Sequence, residues 1–213
     1  MKIFTFSGDG AGYTCNSYLV LGSWNTLLDV NTLIDPGRDP ALLAWIRDAN
    51  TGVGKRQVEQ VVVTHSHYDH VEMLGAVCEA YAPVVRSFSP LGARETHREA
   101  EDHAPRPDSR LRHGECLRMG DRTFEVIHVT AHSNDSVCLF CAEEGVLFAG
   151  DTPLLLRSPA TYDDRFIETL ARLAERDVRA IYFGHGPPLL SQCRETLAAS
   201  VAAVRGGSDH GHP

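Results

Sequence analysis

No run of eighteen or more apolar residues occurs in the 213-residue chain, so no segment reads as a transmembrane helix. The opening MKIFTFSGDGAG lacks both an apolar signal core and a small-residue cleavage site. A soluble, unexported, cytoplasmic protein that does not engage membranes is therefore expected. Positive charge is scarce as well: 20 Lys and Arg stand against 28 Asp and Glu, a net −8. Phosphate binding needs concentrated Lys and Arg, so a small-molecule substrate is expected and a nucleic-acid partner is not. The six cysteines are scattered through apolar segments without framework spacing, which reads as reduced thiols. No linker or break in composition divides the chain. One domain over 1–205 is expected, followed by a disordered tail over 206–213 whose His210 and His212 have no role. The sequence carries no signature of an oligomeric state.

What the chain does have is histidine, eleven of them, and they are not evenly spread. The stretch VVVTHSHYDHV over 61–71 packs His65, His67, Asp69 and His70 into six residues directly after a β-branched run.

Strands and helices alternate around that stretch. Strands are expected at 2–6 (KIFTF) and 16–22 (NSYLVLG), with a turn at Pro36 and Gly37. Pro40 suits a first helical turn, and Leu42, Leu43 and Ile46 recur at helical spacing beside Trp45, which predicts a helix to 48. VEQVVVTH over 58–65 reads as a strand covered on both faces, 71–81 as a helix and 82–86 as a short strand. The polar 87–115 segment reads as a short helix with long loops or as a cover. Further strands are expected at 123–130, 136–142, 145–151 and 179–186. Helices are expected over 163–176, where Phe166, Ile167, Leu170, Leu173 and Ala174 share a face, and over 190–204. The two halves are alike in style, which suggests two sheets packed face to face with helices outside.

On this reading the ligand-type residues fall where strands end: His65 and His67 after VVVT, His132 after VIHVTA, Asp151 after VLFAG and His185 after IYFG. Strand ends on one rim converge. A separation of two puts His65 and His67 on one side of an extended segment, while Asp69 and His70, where the chain turns into a helix, point to a neighbouring position. His65, His67 and His132 can form one three-nitrogen set, and Asp69, His70 and His185 another. Asp151 can bridge them, a complete count for two divalent ions sharing a water or hydroxide. Zinc is the first expectation, with iron or manganese as alternatives.

The run T-H-S-H-Y-D-H at 64–70, the later His132, F-A-G-D ending at Asp151 and F-G-H-G around His185, with N-S-Y-L-V and L-I-D-P-G near the start, resembles the metallo-β-lactamase superfamily, particularly its glyoxalase II-like hydrolases. The resemblance implies an α/β fold, a four-layer αββα sandwich with a metal site along one edge of the two sheets. It also implies a metal-bound hydroxide that attacks an ester-like bond. It makes His65, His67 and His132 ligands of a first ion and Asp69, His70 and His185 ligands of a second. Asp151 becomes the bridge, and Asp69 and Asp151 the candidate catalytic carboxylates. Two departures stand out: the segment over 130–136, TAHSNDS, lacks the glycines many relatives carry at the third histidine, and only 28 residues follow His185. Glutathione recognition is therefore not carried over.

The remaining features read more plainly. Cys138 and Cys141 lie in a strand pattern three apart, facing opposite ways, and read as packing. GDGAG at 8–12 reads as a hairpin loop near the site mouth, and His97, His103 and His113 as solvated. The 87–115 segment and the loop after Asp151 are expected to shape the pocket, with Arg157 a candidate anion contact. Three functions compete: a binuclear hydrolase of a small ester, thioester or lactone, a mononuclear iron sulfur dioxygenase, and a non-catalytic metal-binding domain. The first is preferred.

Overall fold

Within the β-branched and aromatic runs, alternation of period two sets which way each side chain faces, and this partitions the core into layers. The structure, a computed structural model, describes residues 1–8, 10, 12–52, 54–88, 107–156 and 162–206. Among these, β1 (Lys2–Phe6), β2 (Ser17–Leu21), β3 (Thr32–Ile34), β4 (Gln60–Val62), β5 (Val84–Ser87) and β6 (Ser109–Arg110) form one sheet in that order. The second sheet holds β7 (Cys116–Met119), β8 (Arg122–His128), β9 (Val137–Cys141), β10 (Val146–Gly150) and β11 (Ala180–Phe183), ordered β11-β10-β9-β8-β7. Each half of the chain thus builds its own sheet. Strands β1 to β3 pair antiparallel and β3 to β6 parallel; β7 to β10 pair antiparallel and β10 with β11 parallel.

Helices α1 (Ala41–Asp48) and α3 (Leu74–Tyr81) cover the first sheet, with the short α2 (Tyr68–Val71) between them in sequence; α4 (Asp164–Glu175) and α5 (Cys193–Gly206) cover the second. In β2, Leu19 and Leu21 pack with Leu42, Ile46, Leu74 and Val77 of the helices. Tyr18 and Val20 turn the other way, onto Phe124, Val126, Leu139 and Phe148 of the second sheet. In β9, Val137, Leu139 and Cys141 face the first sheet, while Cys138 and Phe140 pack with Phe166, Leu170 and Leu197 of α4 and α5. The result is the expected αββα sandwich, with Cys138 and Cys141 buried on opposite sides of one sheet. Each fully buried Phe or Leu of these layers contributes about 1.5–3 kcal/mol relative to exposure. The six cysteines are free thiols, and no helix among the described residues is long and apolar enough to cross a membrane.

Two local expectations are corrected. The helix expected over 71–81 begins earlier and is interrupted after Val71, because Gly37 competes for its backbone: Gly37 N donates to His70 O at 3.0 Å and Met73 N donates to Gly37 O at 2.9 Å. Strand β7 was not anticipated, because its exposed Cys116 and Arg118 dilute the apolar signal of the buried Leu117 and Met119. Of the 87–115 segment, residues 107–115 supply β6 and a turn leading to β7, while 89–106, with His97 and His103, lie outside the described residues. So do Asp9 and Ala11 of the GDGAG loop, Arg157 and residues 207–213.

Candidate metal centre

All seven ligand-type side chains named from the sequence meet at one rim of the sandwich. His65 follows β4 after two residues, His67 precedes α2 in extended conformation, and Asp69 and His70 lie within α2. His132 lies in the loop after β8, Asp151 directly follows β10, and His185 follows β11 after one glycine. His65 Nε2 lies 3.0 Å from His67 Nδ1, and His132 Nε2 lies 3.1 Å from the former and 3.0 Å from the latter. Beside this triangle, His185 Nε2 is 3.1 Å and His70 Nε2 3.8 Å from Asp69 Oδ2. Asp151 stands between them: its Oδ2 is 3.5 Å from His132 Nε2, 3.8 Å from His65 Nε2 and 3.5 Å from His185 Nε2, while its Oδ1 is 3.4 Å from His70 Nε2.

This donor set fits divalent cations. Three imidazole nitrogens in mutual contact cannot satisfy one another by hydrogen bonding, since a neutral ring has one N–H and one lone pair. A tetrahedral zinc with Zn–N near 2.0–2.1 Å spaces its nitrogens about 3.3 Å apart, close to the triangle observed. His70 Nε2 and Asp151 Oδ1 are buried and make no hydrogen bond. A bound ion would satisfy both.

The sequence reading missed what holds the rings. Asp35, from the LIDPG turn, is buried with a left-handed backbone (φ 51°) that aspartate tolerates better than most residues. Its Oδ1 accepts from Thr64 N at 2.7 Å, and its Oδ2 accepts from Thr64 Oγ1 at 2.6 Å and His70 Nδ1 at 2.9 Å. With its proton committed to Asp35, Thr64 Oγ1 accepts from His65 Nδ1 at 3.2 Å. One carboxylate thereby fixes two tautomers, leaving His65 Nε2 and His70 Nε2 as lone-pair donors facing the site. Asp35→Ala is expected to weaken metal binding by about 10–100-fold, the cost of losing such an outer partner. Chelator competition measures this, and unchanged affinity would show the rings to be held without Asp35.

The glycine-poor loop after β8 is braced by side chains instead. Ser133 Oγ donates to Asp135 Oδ1 at 2.7 Å and lies 2.6 Å from Ser136 Oγ, while Asp135 Oδ2 accepts from Ser66 N at 3.1 Å. Since Ser66 lies between His65 and His67, this contact sets the loop that carries His132 against the first two histidines. His113 packs on β8, its Nδ1 accepting from His128 N at 3.2 Å.

Electrostatics match a site built for positive charge. Burial, reinforced by the nearby His70, pushes His65 down to about 2, so its ring stays neutral. Burial opposes charge on His70 too, yet the Asp35 and Asp151 carboxylates on its two sides favour positive charge there and raise its pKa, a charge that a cation bound at Nε2 would supply in place of a second proton. Burial alone would raise Asp151, but His70 alongside it, helped by His65 and His185, brings it down to about 2.

Comparison with known proteins agrees with this geometry. Residues 10–185 match the family model described as the metallo-beta-lactamase superfamily. A hydroxyacylglutathione hydrolase of Roseobacter denitrificans is 29% identical over 167 residues, 69% of this chain and 62% of that protein. A rubredoxin-oxygen oxidoreductase of Megalodesulfovibrio gigas is 29% identical over 205 residues, 94% of this chain and 49% of that protein. The chain thus spans between about half and two thirds of the length of these relatives. Among solved structures, TTHA1623 in a di-iron-bound form superposes with a TM-score of 0.67 at 25% identity, covering 96% of this chain and 98% of that one. With the family model spanning every described strand but β1 and every one of the converging histidines and aspartates, the chain belongs to the metallo-β-lactamase superfamily.

Proposed function

We propose that this protein is a binuclear metal-dependent hydrolase of a small ester, thioester or lactone. The observation that carries the reading is Asp151, whose Oδ2 faces histidines of both ligand sets, His65 and His132 on one side and His185 on the other. His65, His67 and His132 would hold one ion and Asp69, His70 and His185 the other, with Asp151, which also groups with His65 and His70, placed to serve both. When bound, such a pair supplies hydroxide at neutral pH from a water whose pKa falls to near 7, and polarises the carbonyl under attack.

The chain's own residues complete the arrangement. Asp69 and Asp151 offset only part of the charge of two divalent ions, so the centre keeps a net positive field that draws in a carbonyl oxygen. Both carboxylates face His185 Nε2 and flank the place where a water would be oriented. A cysteine nucleophile is not needed, and Cys15 beside His70 is unsuited to be one: burial pushes its thiol up to about 11. The hydroxyacylglutathione hydrolase relative favours a thioester or related acyl substrate. Zinc is the proposed metal, with iron or manganese as alternatives, because imidazole and carboxylate suit several first-row ions.

A second reading has one observation in its favour. Asp69, His70 and His185 form a two-histidine, one-carboxylate set, the donor pattern of non-haem iron oxygenases. Elemental analysis of protein purified without added metal, followed by thioester, lactone, phosphodiester and persulfide substrates with oxygen uptake monitored, separates the two. Two metal equivalents with hydrolysis are expected. One iron with oxygen consumption would establish the oxygenase, and undiminished turnover by rigorously metal-free protein would remove both.

A further inference from the structure

One polar side chain at the approach to the metal centre belongs to neither ligand set. The Tyr13 ring stacks on the His185 imidazole, centroids 4.9 Å apart with 17° between planes, and its hydroxyl oxygen lies 3.2 Å from His185 Nε2. The side chain is 60% exposed, so burial does not explain its placement. The segment that follows is pinned to the site: Cys15 N donates to Asp69 O at 3.3 Å and Asn16 N to Gly184 O at 2.6 Å. Asn16 Nδ2 also donates to Phe183 O at 3.0 Å and Gly186 O at 2.8 Å. Tyr13 is thereby held beside Asp69 and His185 by backbone anchors two and three residues on, one in α2 and one directly after β11.

A neutral imidazole offers one lone pair. His185 Nε2 faces Asp69 Oδ2 of its own ligand set and Asp151 Oδ2, so a cation bound there would take that lone pair. Tyr13 then has no acceptor on the ring, yet stacking keeps its hydroxyl beside that ion. An oxygen that enters the ion's open position is placed to accept its hydrogen bond.

We infer that Tyr13 is a catalytic residue that donates a hydrogen bond to the substrate or product oxygen bound beside His185; that this oxygen comes from an acyl group rests on the hydrolase reading. An oxygen gaining negative charge accepts more strongly than a resting carbonyl, so the contact favours the transition state over the bound substrate.

Tyr13→Phe tests this, because it keeps the stacked ring and removes only the hydroxyl. Both proteins are loaded with cobalt(II) and titrated with acetate, a minimal carboxylate product, by visible absorption. The variant is expected to hold the same cobalt and bind acetate about fivefold more weakly, the factor one net hydrogen bond supplies. On an ester, thioester or lactone that the protein hydrolyses, kcat is expected to fall more than KM changes. Equal acetate affinity would overturn the inference, and loss of cobalt would overturn it by making Tyr13 part of the metal's own holding. Weakened acetate binding in a protein that hydrolyses none of these substrates would sink the hydrolase reading and leave the role of Tyr13 standing.

Discussion

Asp151→Ala is expected to abolish turnover while leaving the protein folded. Asp151 lies beyond the last residue of β10, so its loss removes no core packing, unlike truncation of Phe148 three positions earlier. Its two oxygens serve His65, His132, His185 and His70, so one substitution affects both proposed ions together. The loss should exceed the roughly 10–100-fold cost of removing a second-layer partner. His67→Ala, which breaks only the three-nitrogen set, is expected to abolish turnover as well but to retain more metal. Circular dichroism, elemental analysis and kcat/KM on one substrate check this. Wild-type activity in either variant would eliminate the two-metal mechanism.

The second large effect is expected at a residue with no functional group. A Cβ on Gly184 would overlap Asp151 Oδ1 outright and come within 2.8 Å of His70 Cε1. The backbone there cannot withdraw, because Gly184 N donates to Gly150 O at 2.8 Å and Gly184 O accepts from Asn16 N at 2.6 Å, tying it to both sheets. Asp151 and His70 must therefore move, and these are two of the side chains whose facing atoms are left unsatisfied. Gly184→Ala is expected to lose at least one metal equivalent and more than about 100-fold in kcat/KM, on the scale of a displaced reacting group. Gly75→Ala in α3, where the added methyl meets open space, is the control and should change neither. Full metal content in Gly184→Ala would show the Asp151 carboxylate to be free to shift without consequence.

The difference between these residues explains how much could be read before the fold was known. The convergence of His65, His67, His132, Asp151 and His185 was legible because each follows an apolar run and strand ends in a sandwich share a rim, and Asp69 and His70 were legible from their place in the same short run as His65 and His67. That Cys138 and Cys141 face opposite sides of β9 was legible for a similar reason, since alternation carries its own geometry. Asp35, Gly184 and Tyr13 were not. Asp35 and Gly184 lie in the L-I-D-P-G and F-G-H-G runs, but the importance of all three rests on partners 29, 33 and 172 positions away, Thr64, Asp151 and His185, which no local pattern names. The break between α2 and α3 was hidden likewise, because good helix formers there yield to hydrogen bonds with Gly37. Strand β7 lay below the threshold of periodicity, four residues with arginine among them.

The two sheets are made by successive halves of the chain and joined directly at the end away from the site by the paired bonds of Val30 and Gly120, at 2.9 and 2.7 Å. At the other end each proposed ion takes ligands from both halves: His65 and His67 with His132, Asp69 and His70 with His185. Ions held there would be rivets as much as reagents, adding to the cohesion that the apolar layer between the sheets supplies, since whatever binds the joined form alone stabilises it. A polypeptide severed in the turn before β7 would yield two fragments whose reunion titrates with free metal.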